Sequence, residues 1–468
     1  MTRTDLPAGL GASTRRGELA ATVALALPLA GANLIQMMVY AVDVIFVARL
    51  GPLALAASSL GVSIFGLLMW SSTGLVGAAA PLISAELGRR RHAVREVRRT
   101  FRMALWLALL SGVIVAALCL GGEAFMRATG QDPEVTRQAG AFLAVLALAA
   151  LPNVMAWLLR TFVSAMGRAG IATAVTLLAL AVNSLGNYAF VFGHFGAPAL
   201  GLVGSAISSV ITACAMMLAY MAIIFSDRRF RRYRLFGRFW RSDWPRFFDL
   251  VRIGLPITGT ILAEAGLFSG AAFLMGRLGE AELAGHTLVL QLAALAFQVP
   301  YGIGQAATIR VGYHYGAGDR AGMGHAGNAG IALGIGFMAL TGLVMALFPR
   351  TILRLYIDPD AAQNAALVGF ALQYIVVAAA FQLFDGAQAV TAGALRGLQD
   401  TRVPMAIAIF GYWLPGFGTA ILLGFLTALA GTGIWLGLMA GLVVVSILLG
   451  WRWLARDRLG LTAVHPAG

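Results

Sequence analysis

A series of twelve apolar runs, separated by short charged stretches, places the strongest constraint on the fold. Each run has roughly 20 or more residues, enough for a helix to cross a hydrocarbon core of about 30 Å. The runs are continuously apolar rather than alternating, which excludes a transmembrane β-barrel. The sequence therefore predicts an all-α polytopic membrane protein with twelve transmembrane helices. The predicted spans are residues 19–48, 54–86, 102–122, 138–159, 169–192, 199–225, 250–276, 284–311, 325–348, 364–395, 404–426 and 429–454.

The charged residues between the runs are mostly arginines. The chain has 34 basic residues, all of them Arg, against 20 acidic residues, for a net charge of +14. With twelve spans and a cytosolic N-terminus, 28 of the arginines fall on the cytosolic side, as the positive-inside rule requires. We interpret the basic surplus as membrane topology and contact with anionic lipid rather than nucleic-acid binding. The arginines on the other side are Arg49, Arg127, Arg137, Arg277, Arg350 and Arg354.

The chain also contains an internal repeat. Residues 27–60 align without a gap on residues 255–288, at a constant offset of 228. The identities that carry the alignment include the pairs Pro28–Pro256, Arg49–Arg277, Gly51–Gly279, Gly74–Gly302 and Gly88–Gly316. Because six spans return the chain to its starting side, the two halves have parallel topology, which is common among transporters.

The repeat predicts three segments. Residues 1–226 form an N-terminal six-helix bundle, residues 227–248 a basic cytosolic linker, and residues 249–468 a C-terminal six-helix bundle. Repeats of this kind usually enclose a site that is reached when one half rocks against the other. We therefore expect a transporter.

Three carboxylates fall well inside predicted spans: Asp43 in the first, Glu264 in the seventh and Asp385 in the tenth. An ionised acid at the bilayer centre costs about 2.5–3.5 kcal/mol on insertion scales. Such acids can be protonated, or paired across helices for purely structural reasons. Because both halves carry them, we favour carboxylates that face a wet cavity and bind Na⁺ or exchange H⁺.

Amide side chains accompany the carboxylates. Asn183 and Asn187 have i,i+4 spacing and so project from one helix face. They suit a substrate cavity, or hydrogen bonds between helices, and the sequence leaves both roles open. Gln36 occupies the repeat position of Glu264. Two further amides, Gln382 and Gln388, flank Asp385.

Motifs for catalysis are absent from the sequence. The string GIGQAA at residues 302–307 fits a dinucleotide-binding pattern, but it lies in an apolar span and follows no strand. Cys119 and Cys214 lie inside predicted spans, and nothing suggests a disulfide. We expect neither an enzyme nor a bound cofactor.

Six longer strings resemble the MATE (multidrug and toxic compound extrusion) family of antiporters, within its NorM-like bacterial branch. The resemblance covers nearly the whole chain, and its most specific string is the last one. The strings are YAVDVIFVARLG (40–51), LRTFVSAMG (159–167), NYAFVFGHFGAPALGLVGSAISS (187–209), IGLPITGTILAEAGLF (253–268), IRVGYHYGAG (309–318) and FQLFDGAQAVTAGALRGLQDT (381–401).

The resemblance implies roles for the buried carboxylates. Asp43 matches a carboxylate tied to drug and proton binding. Glu264 and Asp385 match carboxylates associated with the coupling cation, so both are candidate Na⁺ ligands. Phe268 matches an aromatic residue one turn after that glutamate. We expect the substrate cavity to be lined by Gln36, Asn183, Asn187, Phe268, Phe381, Gln382 and Gln388.

Three positions depart from the family pattern. Asn187 stands where the archaeal branch has Asp. Phe381 stands where some relatives have Tyr, and its ring cannot coordinate a cation. Residues 285–287 read Gly-His-Thr instead of Ala-His-Gln. These departures leave the coupling ion and the drug profile open.

The resemblance implies an antiporter coupled to Na⁺ or H⁺ that exports amphipathic, cationic drugs or toxic metabolites by alternating access. It also implies a monomer in the bacterial inner membrane, with small-molecule substrates and lipid as its partners. The alternative is a lipid-linked saccharide flippase of the same superfamily. A flippase cavity would favour basic residues to hold phosphates, and the sequence places no Arg well inside a span.

The predicted topology can be tested by reporter fusions or cysteine accessibility. Both termini and the 227–248 segment should lie in the cytosol, because the excess of Arg on that side sets the orientation. A 227–248 segment on the outer side would contradict the twelve-span arrangement.

Overall fold

The computed structural model describes residues 14–89, 93–237 and 239–463. Arg3, Arg90, Arg91 and Arg238, which contribute to the predicted charge asymmetry, lie outside the described residues. Within these ranges the chain forms seventeen α-helices and no β-strand. The helices are α1 (Arg15–Ala48), α2 (Pro52–Gly77), α3 (Ala79–Arg89), α4 (Ala93–Leu120), α5 (Gly122–Ala128), α6 (Pro133–Ala165), α7 (Gly170–Phe192), α8 (Gly201–Ser226), α9 (Arg228–Arg231), α10 (Trp244–Leu278), α11 (Glu280–Ala317), α12 (Arg320–Leu347), α13 (Pro349–Leu353), α14 (Ala365–Gly397), α15 (Arg402–Gly411), α16 (Gly418–Phe425) and α17 (Ala430–Leu454).

Twelve helical stretches in the described ranges are long and apolar enough to cross a membrane, which confirms the predicted number. One stretch, Pro52–Arg89, consists of α2 and α3. Another joins α15 to α16 through a π-helical turn, Tyr412–Phe417, with Pro415 inside it. Proline has no N–H to donate to the helix, and a widened turn accommodates this loss.

The described chain divides into two compact units. The first is Gly31–Thr258, and the second combines α1 up to Ala30 with the chain from Gly259 onward. The division therefore falls inside α1 and α10 rather than in the 227–248 segment. The two division points are separated by the repeat offset of 228, and each follows a proline, Pro28 or Pro256.

Close backbone packing explains why the division falls inside these helices. In the first unit, Gly254 of α10 lies against the backbone of Leu75 in α2, so that a Cβ at Gly254 would overlap the Leu75 carbonyl. In the second unit, a Cβ at Gly302 of α11 would lie 2.6 Å from the nitrogen of Ala30 in α1. The opening half of each helix is thus packed into the unit formed mainly by the other repeat.

Charged pairs hold the starts of these helices in place. In the first unit, Arg246 of α10 lies 3.2 Å from Glu86 of α3. In the second unit, Glu18 of α1 lies 2.8 Å from His314 of α11. The offset of 228 relates residue 18 to 246 and residue 86 to 314. The same pair of repeat positions therefore carries a contact in both units, with the acid and the base exchanged.

The contact in the second unit includes a further buried base. Arg310 and Glu18 are both fully buried. Arg310 donates from Nε at 3.1 Å and also from Nη2, so the guanidinium binds the carboxylate with two hydrogen bonds. His314 additionally contacts Asp319 at 3.1 Å through Nδ1. This group links α1, α11 and the start of α12.

Removing the Glu18 charge should destabilise the protein. A Glu18→Gln substitution removes the charge that the buried Arg310 guanidinium binds, and breaking a buried ion pair typically costs about 3–5 kcal/mol. We expect a clearly lower Tm of the detergent-purified protein. Glu134→Gln is the matched control, because Glu134 pairs with Arg137 on the exposed surface, and it should leave the Tm unchanged. Equal effects of the two substitutions would contradict a stabilising role for the buried pair.

Candidate functional site

The first unit brings Asp43 together with the two predicted asparagines. Asn183 and Asn187 of α7 are fully buried. Both donate to the same carboxylate oxygen of Asp43 in α1, Asn183 at 2.9 Å and Asn187 at 2.7 Å. Their i,i+4 spacing therefore serves to hold one carboxylate between two amides. A cation or proton arriving at Asp43 must compete with these hydrogen bonds.

Close packing of α7 on α8 completes this cluster. Ser208 of α8 donates to the backbone carbonyl of Asn183 at 3.0 Å. A Cβ at Gly186 would lie 2.5 Å from the Ser208 hydroxyl, so only glycine allows this approach. The Oδ1 atom of Asn187 has no hydrogen-bond partner within the described ranges. One buried acceptor therefore remains available beside Asp43.

Gln36 is not part of this hydrogen-bonded group. It forms a side-chain hydrogen bond with Tyr40 on the same helix.

Elsewhere in the first unit, Arg160 of α6 donates to Asn33 at 2.6 Å and lies over the ring of Trp157. Arg160 is only 5% exposed. The sequence placed it at the end of a span and missed that it is buried.

The second unit brings Glu264 and Asp385 to one amide. Gln388 of α14 donates from Nε2 to Glu264 of α10 at 3.2 Å and to Asp385 at 3.3 Å. Asp385 and Gln388 are almost completely buried, and Glu264 is partly buried. The three-residue spacing of Asp385 and Gln388 places both on one face of α14. One amide thus bridges two carboxylates on separate helices.

Aromatic rings pack beside these carboxylates. Phe268, one turn after Glu264, meets Phe381 edge to face, with 6.1 Å between ring centroids. Phe381 meets Trp435 in the same way at 5.6 Å. Gln382 accepts a hydrogen bond from Thr341 at 2.6 Å and donates to Met345, so its amide is engaged with α12 instead of the carboxylates. Of the two glutamines that flank Asp385, only Gln388 joins the carboxylate site.

The sequence missed two residues near the carboxylates of the second unit. Tyr412 is fully buried, and its hydroxyl has no hydrogen-bond partner in the described part of the chain. Tyr412 lies near Glu264 and Asp385, and the guanidinium of Arg396 is near enough to Glu264 for their charges to attract. The sequence feature that could have pointed to Tyr412 was Pro415, because this proline lies in the π-helical turn that begins at Tyr412.

The donors in the second unit are hard oxygen atoms. Glu264 and Asp385 supply carboxylates, and the amide of Gln388 would supply its oxygen after rotation. Such ligands suit an alkali cation or a proton. Across residues 14–89, 93–237 and 239–463, no three or more His, Cys, Asp or Glu side chains form a group able to hold a metal ion.

Comparison with known proteins identifies the family. The MatE family model matches residues 28–189 and 256–422, so the two matches begin 228 residues apart. The chain is 45% identical over 444 residues to a probable multidrug resistance protein NorM of Mesorhizobium japonicum, covering 95% of each chain. It is 42% identical over 436 residues to a protein of the same description from Brucella suis, covering 93% of each.

Solved structures share the fold. A multidrug resistance MATE family transporter in an outward-facing conformation superposes with a TM-score of 0.85, at 20% identity, covering 96% of this chain and 97% of that one. The eukaryotic MATE transporter AtDTX14 superposes with a TM-score of 0.84, also at 20% identity, covering 96% of this chain and 100% of that one.

These matches define a twelve-helix membrane transporter and not an enzyme. The chain belongs to the MatE family and resembles its NorM-like members over almost its full length. The resemblance inferred from the sequence strings is thereby confirmed.

Replacing Gln388 should impair ion binding at the carboxylate site without destabilising the protein. Gln388→Ala removes the amide that orients Glu264 and Asp385 and whose oxygen would turn to a bound cation. The ion concentration for half-maximal transport should therefore rise roughly ten-fold or more. Gln363→Ala is the matched control, because Gln363 is exposed and precedes the first turn of α14. An unchanged ion dependence in Gln388→Ala would contradict the bridging role.

Proposed function

We propose that this protein exports amphipathic organic cations in exchange for Na⁺ or H⁺, by alternating access. The observation that carries the proposal is the presence of one carboxylate centre in each compact unit. Each centre is held by amide donors and lacks a paired base within hydrogen-bond distance among the described residues. Such centres keep a negative charge that a cation or a proton can neutralise.

The amide contacts suggest how cation binding changes the protein. A cation at Glu264 and Asp385 takes the place of the Gln388 N–H groups, and rotation of that amide turns its oxygen to the cation. Both carboxylates and the amide then move toward a common centre, which pulls α10 and α14 together. Proton transfer to Asp43 would instead release the amides of Asn183 and Asn187. Either event changes helix contacts without any covalent step.

Na⁺ is the coupling ion that we favour. Two carboxylates on separate helices supply the hard ligands that a dehydrated alkali cation requires. Each cation that moves down a membrane potential of 100 mV releases about 2.3 kcal/mol. This is equivalent to a substrate gradient of roughly 40–50-fold. One cation per cycle is therefore enough for useful efflux.

Cationic, amphipathic substrates suit the side chains of both units. Carboxylates attract the charge, and an aromatic ring such as that of Phe268, which is only partly buried, offers a face for cation–π contact. The relatives named as multidrug resistance proteins support export of this kind. Gln36 and Gln382, engaged with Tyr40 and Thr341, can add hydrogen bonds to substrate when those contacts open.

A lipid-linked saccharide flippase is less well supported. Its anionic substrate requires basic side chains that are free to bind phosphate. Two of the buried arginines in the described chain are bound to other side chains. Arg160 binds Asn33, and Arg310 binds Glu18.

Neutralising the carboxylates should stop transport and leave the protein folded. Asp385→Asn and Glu264→Gln should each abolish drug resistance in cells that lack their own pumps, because each substitution removes a negative charge that the coupling cation must neutralise. Expression and Tm should stay close to those of the unmodified protein. Glu134→Gln, which neutralises an exposed acid, is the matched control and should retain resistance. Full resistance from both site variants at equal expression would refute the assignment.

A further inference from the structure

A basic cleft opens in the second unit, at the end where α1 begins, away from the carboxylate site. The cleft has a volume of about 490 Å³. Five of its lining residues lie on α12, and their spacing places them along one side of the helix. The polar residues that line it are Arg15, Arg320, His325, Asn328, Arg456 and Asp457.

The three arginines of the cleft are not engaged in ion pairs with any acid of the described ranges. Neighbouring arginines behave differently, since Arg452 lies 2.6 Å from Asp400 and Arg310 is bound to Glu18. The acid inside the cleft, Asp457, accepts a hydrogen bond from Thr462. With three arginines and one aspartate, the described lining of the cleft thus has a surplus of positive charge.

The fold positions Arg456. Its guanidinium lies 4.5 Å from the ring centroid of Trp453 and donates from Nη1 to the Trp453 carbonyl at 2.8 Å. Its Nε atom is buried and has no hydrogen-bond partner in the described chain. A Cβ at Gly324 would lie 2.8 Å from Nη2 of Arg456, so the glycine leaves room for the guanidinium. Trp453 is held in turn by Asn328, which accepts its indole N–H at 2.8 Å.

We propose that this cleft binds the phosphate group of an anionic phospholipid. Guanidinium groups match phosphate oxygens with two parallel hydrogen bonds. Basic pockets between transmembrane helices are suited to lipid head groups. Leu19 and Val23 lie one and two turns after Arg15 on α1 and are 42% and 39% exposed. This apolar surface continues from the cleft and can accommodate an acyl chain, which a free phosphate ion would not use.

Lipid retention by the full-length protein tests the proposal without reference to transport. The protein is reconstituted in vesicles of phosphatidylcholine with phosphatidylglycerol or cardiolipin, extracted in mild detergent, and analysed for retained lipid by native mass spectrometry. Arg15→Gln/Arg320→Gln should reduce the retained anionic lipid roughly ten-fold or more. Both arginines are exposed, so the substitutions should leave the Tm unchanged. Arg456→Gln is a second variant, and it removes the guanidinium that is held against Trp453.

Arg228→Gln/Arg229→Gln is the matched control, because it removes the same charge from exposed arginines outside the cleft. It should retain anionic lipid at the level of the unmodified protein. Equal loss in the control and cleft variants would show a general effect of charge and overturn the proposal. Titration of lipid-free protein with inorganic phosphate forms a separate arm. A Tm increase that depends on Arg15 and Arg320, without any selective lipid retention, would assign the cleft to free phosphate and also overturn it.

Discussion

A carboxylate inside a membrane helix persists only when neighbouring groups compensate the cost of removing it from water. The protein does this in two ways. Glu18 is matched by a full positive charge, the Arg310 guanidinium, in a fully buried pair. Asp43 receives amide N–H groups from Asn183 and Asn187, and Gln388 serves Glu264 and Asp385 in the same manner.

We propose that this difference separates the structural carboxylates from the functional ones. A buried Arg–Glu pair is already neutral overall, so an added cation gains little there, and its role is to hold α1 against α11. Amides supply hydrogen bonds but no net charge. The carboxylates that they hold therefore remain able to attract Na⁺ or H⁺. The protein places one centre of this second kind in each compact unit.

The internal repeat is visible in the packing of the helices as well as in the sequence. The divisions after Ala30 and Thr258 occupy equivalent repeat positions, and charged contacts at equivalent positions anchor the helix segments before them. The exchange of acid and base between the units keeps the attraction while changing both partners. A contact of this kind is specified by the geometry of the repeat rather than by residue identity.

The sequence was sufficient for the helix number, because span length follows from the thickness of the membrane. It also singled out Asp43, Glu264 and Asp385, since acids in apolar runs are conspicuous, and their coupling role stays a prediction. It could not show that Asn183 and Asn187 hold Asp43, because about 140 residues separate them along the chain. Nor could it show that Gln388, and not Gln382, contacts the two carboxylates of the second unit.

The buried arginines and Tyr412 were missed for a related reason. The number of residues between a side chain and the end of its span indicates its depth in the membrane. It does not show which residues of other helices that side chain contacts. Arg310 lies near the end of α11, where it resembles any cytosolic arginine, yet its partner comes from α1, 292 residues earlier. The direction of Tyr412 depends on the π-helical turn, which shifts the helix register in a way that regular helical spacing does not anticipate.

Efflux from proteoliposomes under imposed ion gradients tests cation coupling most directly. A fluorescent organic cation is loaded, and an inward Na⁺ gradient or an inward proton gradient is applied separately at fixed membrane potential. We predict that the Na⁺ gradient drives efflux and that Glu264→Gln removes the response. Efflux driven by the proton gradient and indifferent to Na⁺ would contradict the Na⁺ site and transfer coupling to Asp43. Efflux that responds to neither gradient would contradict cation coupling itself.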